Sequence, residues 1–374
     1  MNCGNRLVWS VSFREFLGNE TVVRRLREAI GAGRLPPAMI LAGPRGAGKY
    51  TLAVKLAQAV NCLDPRETDG LPDYCGVCAN CVRIGQAMDL DTRVDEAVAA
   101  REEMREVDKK ETRILIQTHP DVLVIPPDPP QLLIKLGQVR TVIREIYRMP
   151  AEARRAFYIF TNAAFMKEAA NSLLKVLEEP PAHASIVLLA ENLGDLLPTI
   201  RSRSSIFRLG AIPLEQIEKL LAERRSDLRP AQRSLVARLA QGAVGQALGF
   251  DLEAYLASRT DALVILRNAV REPDYSALFR MTETYRAGAE GQQKTADLLG
   301  AFLSLLEDLL LMRSGAPQMI RNIDIEKDLA DMAQRVSLDW IEAAERGAHA
   351  VRSGMRRNLL RSLSLDAFAT ELAG

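Results

Sequence analysis

The stretch Gly43-Pro-Arg-Gly-Ala-Gly48-Lys49 constrains the fold of this chain more than any other segment. It matches the G-x-x-x-x-G-K pattern of a phosphate-binding loop, and it lies between an apolar run and a helical pattern, as that loop requires. Glycines let consecutive backbone N–H groups converge on phosphate oxygens, and the helix that follows adds the positive end of its dipole. The stretch therefore predicts a P-loop fold in which Lys49 reaches the terminal phosphates.

Up to residue 210, apolar runs of strand length alternate with amphipathic helical patterns. This alternation is typical of a parallel sheet with helices on its faces. The predicted strands are residues 39–42, 121–125, 156–161, 185–190 and 204–209. The predicted helices are residues 20–32, 49–61, 136–147 and 167–178.

Position 50 departs from what a hydrolysing phosphate loop needs. Magnesium requires a short Ser or Thr hydroxyl directly after the lysine, whereas Tyr50 carries a phenol at the end of a rigid ring. Thr51 follows about 100° further around the helix and should face elsewhere. A neighbouring strand should end in an acidic residue, but the run at 156–160 continues into Thr161-Asn162-Ala-Ala. The sequence therefore predicts no ATP hydrolysis by this loop and leaves ATP binding open.

Four of the five cysteines form a cluster at Cys62, Cys75, Cys78 and Cys81. The Cys-x-x-Cys-x-x-Cys spacing places three thiols on a tight loop, and Cys62 ends the preceding predicted helix. Four sulfurs suit a tetrahedral, structural zinc site, with an iron–sulfur cluster or free buried thiols as the alternatives. Cys3 lies apart and is expected to be an ordinary thiol.

Length and composition limit the remaining possibilities. A chain of 374 residues, 48% of them hydrophobic and 26% charged, is typical of a globular protein of roughly two or three domains. Its net charge of +1 gives no general attraction to nucleic acid or to membranes. We find no apolar run long enough to cross a bilayer and no signal-peptide core at the N-terminus, so we expect a cytoplasmic location.

Beyond residue 210 the strand signals stop and helical patterns continue to the last residue. Residues 88–113 look like a charged insertion with a thin apolar stripe that includes Val94 and Val98. This segment predicts a mobile, solvent-facing helix.

Two charged clusters each allow two interpretations. Glu178 and Glu179 end a predicted helix before Pro180-Pro181, and they fit either a catalytic pair or, as we prefer, a solvated helix end. Arg201 and Arg203 precede the last predicted strand. They fit either surface charge or an arginine finger directed at a neighbouring subunit's nucleotide, since such an arginine stabilises charge on the transferring phosphate.

The order of these motifs resembles the bacterial clamp-loader family, the AAA+ subunits of the DNA polymerase III holoenzyme. The phosphate loop and cysteine cluster are followed by Thr118-His-Pro-Asp121, by Asn171-Ser-Leu-Leu-Lys-Val-Leu-Glu-Glu-Pro-Pro181 and by Thr199-Ile-Arg-Ser-Arg203. The resemblance covers residues from about 16 to 209 with strong motifs. It implies an α/β plus all-α architecture: a RecA-like AAA+ domain with a zinc module (1–210), a small three-helix lid domain (211–250) and a helical collar (251–374).

Within this family the chain looks most like the delta-prime type. Motor subunits of the family carry a hydroxyl residue after the lysine, an acidic pair on the next core strand and an arginine sensor in the small helical domain. Here those positions hold Tyr50, Thr161-Asn162 and Gly245. The arginine of the family's Ser-Arg-Cys motif survives as Arg203, with Ser204 after it. The resemblance implies that Arg203 acts in trans; it also implies a vestigial phosphate loop at Gly43, Gly46, Gly48, Lys49 and Thr51, and a sensor position at Asn192.

The resemblance further implies partners. The chain would join motor (gamma/tau) and delta subunits in a pentamer-like hetero-oligomeric ring, with no membrane partner, that places the sliding clamp on primed DNA. An ATP-hydrolysing motor subunit of the same loader, or another AAA+ ATPase, is the main alternative. A zinc-bearing nucleic-acid-binding module is a weaker one, because the near-neutral charge argues against it.

Overall fold

The computed structural model describes residues 12–129, 132–271, 274–285, 288–354 and 361–373. Cys3 therefore lies outside the described residues. The chain divides into two compact units, residues 1–213 with 242–246, and residues 214–241 with 247–374. The division into three domains at 210 and 250 stays a prediction.

A six-stranded sheet organises the first unit, and a two-stranded hairpin lies apart from it. The strands are β1 (Ala38–Ala42), β2 (Arg66–Thr68), β3 (Leu71–Asp73), β4 (Ile116–His119), β5 (Val122–Ile125), β6 (Ala156–Phe160), β7 (Ala184–Ala190) and β8 (Ser205–Arg208). The sheet has the order β4-β5-β6-β7-β1-β8. Its strands run parallel except β4, which pairs antiparallel with β5, while β2 and β3 form the hairpin.

Helices cover both faces of this sheet. They are α1 (Glu20–Gly31), α2 (Lys49–Asn61), α3 (Ala79–Gly85), α4 (Leu90–Glu102), α5 (Glu106–Glu111), α6 (Leu136–Glu145), α7 (Lys167–Glu178) and α8 (Pro198–Ser202). Successive strand residues point to opposite faces, so Met39 and Leu41 join one core cluster and Ile40 and Ala42 the other. The α/β prediction is confirmed, and the five predicted strands and four predicted helices all form. The sequence analysis did not predict β4, because its four residues form no apolar run and are only partly buried.

The helical, solvent-facing prediction for residues 88–113 is confirmed in part: most of the segment is exposed, but one face packs on the first unit. The segment forms two helices, α4 and α5, and Val94 and Val98 of α4 pack against the core. Arg101 is 8% exposed, and its Nη1 atom lies 2.5 Å from a carboxylate oxygen of the fully buried Asp128. A buried charge needs such a partner, so this ion pair anchors the insertion to the first unit.

The second unit consists of helices and connecting turns, with no strand among its described residues. Its helices are α9 (Leu214–Arg224), α10 (Pro230–Leu239), the end of α11 (Val244–Leu248), α12 (Leu252–Val270), α13 (Tyr275–Glu283), α14 (Gly288–Arg313), α15 (Glu326–Arg335), α16 (Leu338–Gly354) and α17 (Arg361–Ala373). An apolar core cluster includes Leu266, Phe302 and Leu305. The buried Asp308 carboxylate accepts hydrogen bonds from the backbone of Arg321 and Asn322, which fixes the turn before α15. Among the described helices, none combines the length and apolar character needed to cross a membrane.

Candidate phosphate loop, metal centre and arginine

The phosphate loop leaves the C-terminal end of β1, where ligands bind in parallel sheets. The Gly43 N–H donates to the Ala190 carbonyl at the end of β7, with an N–O distance of 3.1 Å. A Cβ atom at Gly43 would lie 2.4 Å from the Leu209 carbonyl oxygen, so no larger residue fits there. Gly48 follows as the N-cap of α2. The predicted strand–loop–helix arrangement is thus present.

Residues 243–246, at the start of α11, pack directly on this loop within the first unit. The Gly245 N–H donates to the Gly46 carbonyl at 2.9 Å. Gly46 has φ +78°, and a Cβ atom there would lie 2.9 Å from the Gln246 nitrogen. Gly245, which stands at the position expected for a sensor arginine, therefore contributes backbone contact in place of a charged side chain.

Lys49 turns its ammonium group onto the loop itself. Its Nζ atom donates to the carbonyls of Gly43 at 2.6 Å and Pro44 at 2.7 Å. Burial lowers the Lys49 pKa, and the Glu191 carboxylate opposes that shift. The sequence analysis did not name Glu191 as a residue near the loop. Its position directly after β7, the strand beside β1, could have indicated this. Asn192 accepts a hydrogen bond from the Gly194 N–H through Oδ1, so its carbonyl oxygen serves a local turn.

Tyr50 is engaged away from the loop. Its hydroxyl donates to the Ala87 carbonyl at 2.5 Å, and burial raises the pKa of the phenol. Thr51, next along α2, is half-buried. At the end of β6, where a magnesium-binding acid would stand, the Asn162 side chain accepts from the Ala164 N–H. The Tyr50 and Asn162 side chains thus serve structural hydrogen bonds.

The four clustered cysteines converge on one point. The sulfurs of Cys62, Cys75, Cys78 and Cys81 all lie within 4.8 Å of one another. A tetrahedral zinc–thiolate centre with bonds of about 2.3 Å places its sulfurs about 3.8 Å apart, which this cluster approaches. The Cys62 and Cys78 sulfurs are 4.0 Å apart. The cluster could therefore hold a metal ion, and no disulfide joins these four residues.

Backbone N–H groups surround the sulfurs. The N–H of Cys75 donates to the sulfur of Cys62 and the N–H of Cys78 to that of Cys75, both at 3.3 Å. Burial alone would raise the Cys78 pKa, but donors from the Cys81 and Leu63 backbones lower it to about 6. Burial raises the pKa of the Cys62 and Cys81 thiols. N–H donors favour thiolates, which is the form that binds metal.

Regular elements fix where the cysteines lie. Cys62 is the C-cap of α2, and Cys78 is the N-cap of α3. The hairpin β2–β3 connects Cys62 to Cys75 through a tight turn at Asp69-Gly70, whose φ angles are +55° and +70°. Arg27 of α1 donates to the carbonyls of Thr68, Leu71 and Pro72 and so holds the hairpin against α1.

The Thr118-His-Pro-Asp121 motif has a structural role. The Asp121 carboxylate accepts from the backbone N–H groups of Ala151, Glu152 and Ala153, with N–O distances between 2.7 and 2.8 Å. These donors outweigh burial and lower the pKa of Asp121. The His119 Nδ1 atom accepts from the Asp121 N–H. The motif thereby fixes the chain entering β6.

Arg203 lies at the C-terminal end of α8. Its Nη1 atom donates to the Thr199 carbonyl at 3.1 Å, and its Nη2 atom lies 3.0 Å from a carboxylate oxygen of Glu178. The Arg203 side chain remains 36% exposed. The structure thus brings the loop and the cysteine cluster together on α2, while these contacts attach Arg203 to α7 and α8.

The matching family model and two curated relatives are DNA polymerase III subunits. The family model described as "DNA polymerase III, delta subunit" matches residues 18–213. The DNA polymerase III subunit tau of Escherichia coli (strain K12) is 29% identical over 248 residues, which are 65% of this chain and 33% of that protein. The subunit delta' of Bacillus subtilis (strain 168) is 30% identical over 219 residues, which are 58% of this chain and 55% of that protein.

This chain thus spans about a third to about half the length of those two relatives. Among solved structures, a gamma-subunit-related protein of Thermotoga maritima shares 18% identity at a TM-score of 0.44, with 94% of this chain and 98% of that chain covered.

Proposed function

Because this chain belongs to the DNA polymerase III, delta subunit family of bacterial clamp-loader AAA+ proteins, we propose that it is a delta-prime-type subunit that does not hydrolyse ATP. One observation carries this proposal. The side chain at the magnesium position, Tyr50, is a phenol whose hydroxyl is bonded to the Ala87 carbonyl. A phenol held in this way offers no ligand to a magnesium ion beside Lys49.

The partners follow from the family. The chain joins motor (gamma/tau) and delta subunits in a hetero-oligomeric ring of the bacterial cytoplasm, and the ring loads the sliding clamp onto primed DNA. Arg203 acts in trans on the nucleotide of a motor subunit, which its exposed guanidinium supports. Residues 1–210, 211–250 and 251–374 serve as the AAA+, lid and collar domains.

The cysteine cluster is proposed as a structural zinc site. Cys62, Cys75, Cys78 and Cys81 supply a complete four-sulfur set, and zinc with that set leaves no open coordination position for catalysis. Elemental analysis of the purified protein tests this: we expect about one zinc per chain, and iron in its place would replace the proposal with an iron–sulfur cluster.

An ATP-hydrolysing motor subunit is the second candidate. It is favoured by the complete G-x-x-x-x-G-K pattern and by the similarity to subunit tau. The two candidates separate in one assay of the isolated chain. We expect no magnesium-dependent ATP turnover above background; turnover that disappears in Lys49→Ala would establish the motor instead.

The trans role is tested in the complete complex. Arg203→Ala should leave assembly intact and lower the DNA-stimulated ATP turnover of the motor subunits, because the positive charge at one transition state is lost. Unchanged turnover in an assembled complex would refute it.

A further inference from the structure

Glu178, at the end of α7, faces the guanidinium of Arg203 at the end of α8. We propose that Glu178 is a positioning residue for Arg203, one that holds the guanidinium in the orientation presented to a partner. This inference rests on the trans role proposed above. It replaces the interpretation of Glu178 as a merely solvated helix end.

The guanidinium is held from two sides. Thr199, in the first turn of α8, accepts from Nη1 at 3.1 Å, and Glu178 lies 3.0 Å from Nη2. These partners belong to different elements, so together they restrict rotation of the planar fork. The other N–H groups of the fork remain for an incoming phosphate, since a guanidinium carries more donors than these two contacts use.

The backbone of Glu178 is well fixed, while its side chain is 53% exposed. The preceding residues Val176 and Leu177 are buried in the core, at 0% and 3% exposure. Glu179 then leaves helical geometry with φ −132° and ψ 68°, and Pro180-Pro181 prevents the helix from continuing. The position of the Glu178 backbone at the end of α7 is therefore fixed.

The contact with Glu178 would affect the reaction by orienting the Arg203 guanidinium before phosphate transfer. A long arginine side chain samples many rotamers, and only the oriented fraction stabilises charge at the moment of transfer. An exposed ion pair shifts such a population by about two- to fivefold. A positioning role therefore predicts a loss in kcat of that size with little change in the KM for ATP.

The experiment uses the complete complex assembled with its motor subunits, and it measures kcat and KM for DNA-stimulated ATP turnover. Glu178→Ala should lower kcat about two- to fivefold, and Glu178→Gln, which keeps an acceptor, should restore most of it. Glu179→Ala is the matched control, because the neighbouring Glu179 makes no ion pair within the described residues. In an Arg203→Ala background, Glu178→Ala should have no further effect.

Each outcome decides between the two ideas. If Arg203→Ala leaves turnover unchanged, the trans role fails and the inference fails with it. If Arg203→Ala lowers turnover but Glu178→Ala behaves like Glu179→Ala, or adds its loss to that of Arg203→Ala, only the positioning role is refuted. A rise in turnover would also refute it, because the carboxylate would then compete with phosphate.

Size-exclusion chromatography and thermal unfolding check assembly and folding of each variant. If Glu178→Ala does not assemble, Glu178→Lys serves in its place, since it keeps helix propensity and repels the guanidinium. Unchanged kcat in the assembled Glu178→Lys complex would overturn the inference.

Discussion

The two ends of α2 carry two sites that have been retained to different degrees. Its N-terminal end keeps the glycines and Lys49 of a phosphate loop but has Tyr50 where a short hydroxyl is needed. Its C-terminal end leads into Cys62, and all the cysteines of that cluster converge. A closed metal site loses its function when one ligand is lost, whereas a phosphate loop can lose catalytic groups and keep its shape.

Side-chain hydrogen bonds hold helix α2 near both of its ends. Tyr50 bonds to the Ala87 carbonyl, and Gln58 bonds to the Cys81 carbonyl at 2.8 Å. Residues near both ends of α2 thus attach to residues 81–87, which begin at the last cysteine of the cluster.

The largest expected effect comes from breaking the complete site. Cys75→Ser should abolish stoichiometric metal binding and lower the free energy of unfolding by more than about 4 kcal/mol, because metal binding to such a site is coupled to folding. Elemental analysis and denaturant unfolding measure both quantities. Cys3→Ser is the control and should change neither. Retention of metal and stability in Cys75→Ser would mean that the cluster is a group of buried thiols.

A smaller effect should follow from disturbing the incomplete site. Gly46→Ala should lower the free energy of unfolding by about 2–4 kcal/mol, because it combines a left-handed backbone with a clash against residues 243–246. Gly33→Ala is a matched control, since Gly33 has φ +63° and no atom within 4 Å of an added Cβ. That control should cost about 1 kcal/mol. Equal losses in urea unfolding would show that the packing on the loop contributes nothing.

The smallest effect should come from removing the hydrogen bond between the Tyr50 hydroxyl and the Ala87 carbonyl. Tyr50→Phe should cost about 1–2 kcal/mol, because it leaves the buried Ala87 carbonyl without its donor. Faster release of metal to a chelator should accompany this loss. Tyr147→Phe is the control, as Tyr147 is 57% exposed. If Tyr50→Phe has wild-type stability and wild-type metal release, the Tyr50 hydrogen bond does not link the two sites.

Placing a short hydroxyl at position 50 tests whether the phosphate loop lacks only this one group. Tyr50→Thr should not confer magnesium-dependent ATP turnover, since Thr161-Asn162 still provides no acid at the end of β6. Turnover by this variant would show that one residue separates the chain from an active ATPase.

Much of the fold was predictable because its signals are local. The central strands β1, β5, β6 and β7 are short apolar runs buried on both faces. Helices α2 and α7 begin and end at the predicted residues. The convergence of the cysteines was likewise predictable from their spacing, because three of the four lie within one turn-and-helix segment.

What could not be predicted depends on side chains far apart in sequence. Arg101 meets Asp128, and Glu178 meets Arg203, only after the sheet has placed their elements side by side. The charged pattern of residues 88–113 therefore looked like a free surface helix, although one of its arginines is buried. The sequence shows that Tyr50 replaces a magnesium-binding hydroxyl. Nothing in the sequence of α2 indicates that its hydroxyl bonds to the Ala87 carbonyl.

The hairpin β2–β3 has a consequence for the order of events during folding. Its two-residue turn has both φ angles positive, which is the geometry that matches the twist of antiparallel strands. Hairpins of this kind form within about 1–10 μs, before most long-range contacts. Since the hairpin spans the chain between Cys62 and Cys75, its early closure brings half of the thiols into proximity. A metal ion that binds the closed hairpin would then meet a partly assembled site, and the entropy of closing that loop would already have been lost.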